Sequence, residues 1–147
     1  MNRRQDAAQQ SPARAIRVTC DRATARGVVA NELQRRGYRE ADSCPTASGG
    51  ELVRFHWSSP LREAVDDVLA ISVLRSKLIG GPHGFGVVTV DLDGVAPSTV
   101  VTVALRKGVY HATTVREVID SAIAAFAEAG TLADPGVAIS SLDLPPA

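Results

Sequence analysis

Apolar side chains along this chain switch between a spacing of two and a spacing of three to four, so strands and helices should alternate. Ile16, Val18 and Cys20 alternate with Arg17 and Thr19, which predicts a short strand over 16–20. Asp21 is placed as the N-cap of a helix over 22–37, with Ala25, Val28, Val29 and Leu33 as its apolar stripe and Gly37 as its stop. The Gly-, Ser- and Pro-containing stretch 39–50 breaks the pattern and is predicted as a loop. From Glu51 to Trp57 the alternation returns: Val53, Phe55 and Trp57 share one face, and Leu52, Arg54 and His56 share the other. Ser59-Pro60 opens a helix expected over 61–78, almost apolar through its middle and ended by Gly80-Gly81-Pro82.

Two β-branched runs, 86–92 and 99–106, follow across a turn rich in Asp, Gly and Pro, and they read as a β-hairpin. Thr114 and Glu117 have the spacing of a capping box for a helix carrying Val115, Val118, Ile119, Ala122, Ile123 and Phe126 on one face, closed by Gly130. Val137, Ile139, Leu142 and Leu144 leave room for a last strand. The order β-α-β-α-β-β-α, with that optional final β, predicts an α+β fold. It should be a two-layer sandwich, with a mixed sheet of four or five strands packed by three helices and a ferredoxin-like arrangement as the preferred topology. Residues 1–14 read as a disordered leader, 15–144 as a single domain and 145–147 as a tail.

At 147 residues the chain is long enough to bury a core unaided, and with 45% apolar and 22% charged residues it has globular composition. No apolar run approaches the roughly 20 residues needed to cross a bilayer. The amino-terminal stretch is polar, which points to a cytoplasmic protein without a membrane partner. Cys20 and Cys44 are then expected as free thiols. The formal net charge is zero, yet residues 1–62 hold 11 basic and 6 acidic side chains while the remainder holds 5 and 10, so the parts carry +5 and −5.

Cys20 and Arg26, separated by five residues at a strand-to-helix turn, carry the first candidate chemistry. A thiolate beside helix-start amides, with an arginine clamping phosphate oxygens, is the arrangement of cysteine-dependent phosphatases. Together with Asp134-Pro135, this turn resembles the low-molecular-weight phosphatases over about ten residues, and the resemblance implies anion handling through Cys20 and Arg26 with Arg22 nearby. The intervening segment departs from that pattern, because it has no glycine and begins with the acid Asp21. Val90-Asp91-Leu92-Asp93-Gly94 is similar to the first motif of haloacid-dehalogenase-type phosphotransferases, although the same residues suit a hairpin turn. The glycine-rich stretch 80–86 runs from helix to strand and so lacks the helix start that makes a phosphate cradle. His83 at its tip and His111 are candidate ligand-binding residues. His56, His83 and His111 lack the short spacings of zinc sites, so neither a metal nor a cofactor is expected.

No constellation meets the requirements of catalysis, so the sequence favours a non-catalytic binding or regulatory module that self-associates as a homodimer or meets a protein partner. The hairpin strands are expected to offer the pairing edge. Two alternatives stand beside it. One is an anion-handling enzyme built on Cys20 and Arg26, and the other is nucleic-acid binding through the arginine-rich first helix.

Overall fold

The computed structural model describes residues 3–57 and 84–146. The helix expected over 61–78 and the candidate His83 lie outside the described residues. Helix α1 spans Arg3–Gln10 and is followed by strand β1, Pro12–Val18. Helix α2 covers Arg22–Arg35, and strands β2, Arg39–Pro45, and β3, Glu51–Trp57, come next. Strands β4, Gly86–Asp93, and β5, Thr99–Lys107, lead through a 3₁₀ turn at Val109–His111 into helix α3, Ala112–Glu128. Short strands β6, Leu132–Asp134, and β7, Ile139–Ser140, precede a second 3₁₀ turn, Ser141–Asp143.

The fold is α+β, and the seven strands of the described residues form one sheet in the order β2-β3-β4-β5-β1-β6, with β7 also paired to β1. Every pairing is antiparallel, where a mixed sheet of four or five strands was expected. The chain after α2 does not return beside β1; it goes to the far edge, and β5 takes the place next to β1. This strand order lends no support to a ferredoxin-like arrangement. Nor does it leave the β4–β5 hairpin as an edge, because β4 lies between β3 and β5, and β5 between β4 and β1.

Helices α2 and α3 cover one face. Ala25, Val29 and Leu33 of α2 and Val115, Val118, Ala122 and Phe126 of α3 meet Ile16, Val18, Val53, Phe55, Val88, Val90, Leu92, Val101, Val103 and Leu105 of the sheet. Each large apolar side chain buried here stabilises the fold by roughly 1.5–3 kcal/mol. Both helices end as the glycines foretell. Gly37 takes φ +91°, its N–H bonds Gln34 O, and the next N–H, of Tyr38, bonds Leu33 O. Gly130 repeats the device, with its N–H on Ala127 O and Thr131 N–H on Phe126 O.

Three local expectations are corrected. The expected loop 39–50 is an edge strand and a tight turn in which Thr46 N–H bonds Gly50 O at 3.1 Å. All seven residues of β2 are exposed, so backbone pairing to β3 forms the strand and no apolar alternation advertises it. At the amino end, residues 3–10 are helical and β1 begins at Pro12, four residues before Ile16, because Pro12 and Ala13 pair with Ser140 and Ile139 across the sheet. Helix α3 starts at Ala112 with His111 as its cap, so Thr114 lies inside the first turn instead of capping it.

Candidate functional site

The Cys20 turn folds as a helix start whose anion position is already taken. The Asp21 carboxylate accepts the Thr24 N–H at 2.8 Å, and this bonding holds its carboxyl below the usual aspartate value. Arg26, the residue that would clamp a phosphate, is ion-paired to Glu40 and lies 3.5 Å from Glu51. Burial pushes the Cys20 thiol above its ordinary value, and the charge of Asp21 adds to the rise. Arg22 donates to Gly49 O at 2.8 Å and ties α2 to the β2–β3 turn. A thiol shifted this way is little ionised at neutral pH, so iodoacetamide should label exposed Cys44 well before Cys20, as peptide mass spectrometry of a time course would show.

His111 is fully buried and belongs to the core. Its Nδ1 lies 2.6 Å from the Tyr38 hydroxyl and its Nε2 lies 3.0 Å from Gly84 O. Burial raises the Tyr38 hydroxyl far above the tyrosine range, so that hydroxyl keeps its proton and donates it to Nδ1. Nε2 then carries the ring proton and donates to Gly84 O. The rings of Tyr38 and Trp57 meet the imidazole edge-on, with centroids at 5.6 and 5.0 Å. His56 lies elsewhere, against Phe85 at 5.0 Å. Among the described residues no group of three His, Cys, Asp or Glu side chains is arranged to hold a metal ion.

The arginines of the first part of the chain are largely engaged within the molecule. Arg14 bonds the carbonyls of Pro135 and Gly136, Arg35 and Arg36 bond Glu32, and Arg54 bonds Asp42. They are divided among β1, α2 and β3 instead of forming a continuous stripe on one helix.

The other face of the sheet carries a further group of polar side chains. Strand residues alternate sides, so Leu52, Thr89, Asp91, Thr102 and Arg106 point away from the two helices, and Asp91 sits opposite both Leu52 and Thr102. On this face, opposite α2 and α3, they line a cleft of about 190 Å³ together with Thr46. Its remaining wall is Leu144, Pro145 and Pro146, from the segment after β7. Ser141 fixes that segment: its hydroxyl donates to Leu105 O at 2.6 Å, and its carbonyl accepts from Arg106 Nη1 at 3.3 Å. Arg106 also donates through Nε to Thr89 Oγ1 at 3.0 Å. Asp91 has no hydrogen bond or ion pair among the described residues. Burial, and secondarily the nearby charge of Asp93, raises its carboxyl above the ordinary value, and Arg106 only partly offsets this.

Asp91 was legible as a candidate, but as part of a phosphotransferase motif. In the fold it is a mid-strand residue, and its neighbour Asp93 bonds the Gly94 N–H at 2.8 Å as a turn residue does. Arg106 and the 141–146 segment were missed. The available signal was the polar parity of β5, where Thr102, Ala104 and Arg106 fall on the side opposite Val101, Val103 and Leu105. Compared with known proteins, the chain matches no family model, no curated protein and no solved structure. Among the described residues no helix is long and apolar enough to cross a membrane.

Proposed function

We propose that this chain is a small non-catalytic binding module that takes its ligand in the cleft on the face of the sheet opposite α2 and α3. The observation that carries the reading is Asp91, a part-buried carboxylate that lines the cleft with no hydrogen bond or ion pair among the described residues. A carboxylate partly removed from water with only partial compensation costs stability, and such costs concentrate at sites kept for binding. The lining supports the same reading. Three threonines, a carboxylate and a guanidinium converge against Leu52, Leu144 and two prolines, which is the mixture of a few polar groups on apolar walls that small-ligand sites share. The enzyme alternative at Cys20 loses weight because Asp21 and the two glutamates around Arg26 occupy the places an anion would need. Nucleic-acid binding loses its basic stripe. The homodimer expectation loses its edge, since the outermost strand β2 instead carries Arg39, Glu40, Asp42 and Pro45, residues that discourage strand pairing.

The sign of the Asp91 shift gives a test. A carboxyl raised in the folded state binds its proton more tightly there than in the unfolded chain. Its ionisation therefore removes stability as pH climbs from the ordinary aspartate value, about 3.9, through the higher folded value. Asp91→Asn should then be no less stable than the parent at pH 7, with a flatter stability profile in the acid range, while losing the shifts that a small-fragment screen produces at the Thr89 and Thr102 amides. Urea midpoints across pH and amide spectra read both. A variant that is clearly less stable at pH 7 yet keeps fragment binding would remove the proposal.

A further inference from the structure

We infer that the group this cleft receives is an organic cation, an alkylammonium on a short aliphatic stem. The inference rests on the binding reading above and deepens it. The deciding observation is how the charges in the cleft are used. Arg106 is fixed against the wall, with Nε on Thr89 Oγ1 and Nη1 on Ser141 O. Asp91 makes no hydrogen bond or ion pair within the described residues; Arg106 acts on it only through its charge, and Asp93, two residues on along the same side of β4, adds a second negative charge close enough to be felt. Arg54 on the same face is neutralised by Asp42 at 3.0 Å. Arg106 keeps its positive charge and offsets part of that of Asp91, so with Asp93 the balance beside the cleft is one negative charge. Thr102, directly across from Asp91, offers a hydroxyl oxygen to an N–H donor, while Thr89 and Thr46 already accept from Arg106 and the Gly50 N–H; Leu52, Leu144 and Pro145 provide apolar contact for a methylene stem.

Size restricts the ligand as well. A cleft of about 190 Å³ lies below the range of roughly 300–1,000 Å³ that holds drug-sized molecules. It suits a single amine with a few carbons, whether free in solution or carried on a lysine side chain. An ammonium at Asp91 would gain a charge-assisted bond and relieve the desolvated carboxylate at once.

Titration of the isotope-labelled chain with n-butylammonium, butyrate and n-butanol tests this, since the three share a stem and differ in charge. The expected result is saturating amide shifts at Asp91, Thr89 and Thr102 with butylammonium in the millimolar range, and none with the other two. Asp91→Asn should weaken butylammonium by at least about tenfold, the worth of one hydrogen bond to a charged group, and Asp93→Asn by less. A capped lysine that binds more tightly than butylammonium would identify a peptide as the source of the amine, and equal binding would identify a free amine. Saturation by butyrate or butanol, with butylammonium inert, would overturn the cation inference while leaving the cleft a binding site. Silence of the cleft toward all three and toward a fragment library would overturn both.

Discussion

Replacing His111 with alanine should destabilise the chain by roughly 3–5 kcal/mol, the loss of a large buried side chain added to broken buried hydrogen bonds. The imidazole is fully buried, with both nitrogens engaged and two aromatic rings against it. Truncation leaves the Tyr38 hydroxyl without its acceptor, the Gly84 carbonyl without its donor, and a cavity between Tyr38 and Trp57. Because domains of this size are stable by only about 5–15 kcal/mol, such a loss takes up much of the margin. Urea denaturation should show a much lower midpoint with an unchanged slope. The result would also settle what His111 is for. A ligand-binding histidine could be removed at little cost to folding, whereas this one holds the start of α3 to β3 and the end of α2.

The second large effect is expected at Gly108. Its φ is +96°, a conformation that side chains disfavour, and a Cβ there would stand 2.7 Å from Phe85 O and 2.9 Å from His111 Cδ2. Backbone strain and overpacking together should cost about 2–4 kcal/mol for Gly108→Ala. Gly86 offers a control. A Cβ there meets only the His111 ring within its nearest contacts, at 2.8–2.9 Å. Gly86→Ala should therefore be costly in the parent and nearly free of further cost in His111→Ala, whereas Gly108→Ala should stay costly because the Phe85 carbonyl remains. The double-mutant cycle reads this directly from urea midpoints.

Local periodicity made much of the fold legible. The parity of β3 assigns Val53 and Phe55 to the core, where they lie, and Gly37 and Gly130 mark both helix ends. What periodicity misses is pairing at a distance. Nothing between 39 and 45 alternates, so β2 exists only because β3 pairs with it. Strand β5 lies beside β1 although more than 80 residues separate them, and that choice moves the hairpin from an edge to the centre. The candidate site failed to be legible for the same reason. Arg26 looks free in sequence because its neutralising partners, Glu40 and Glu51, arrive from β2 and β3. His111 carried no mark of burial, because its partners come from Tyr38, Trp57 and Gly84. The cleft needs β3, β4, β5 and the 144–146 segment together, and no local motif spans them.

Crystals of the chain soaked with a chemically diverse fragment library provide the most direct measurement. Fragments should collect against Asp91 and Thr102 on the face opposite α2 and α3, with positively charged members best represented. If the occupied positions cluster instead around Cys20 and Arg26, and the cleft beside Leu144 stays without a fragment, the binding site has been placed on the wrong side of the sheet.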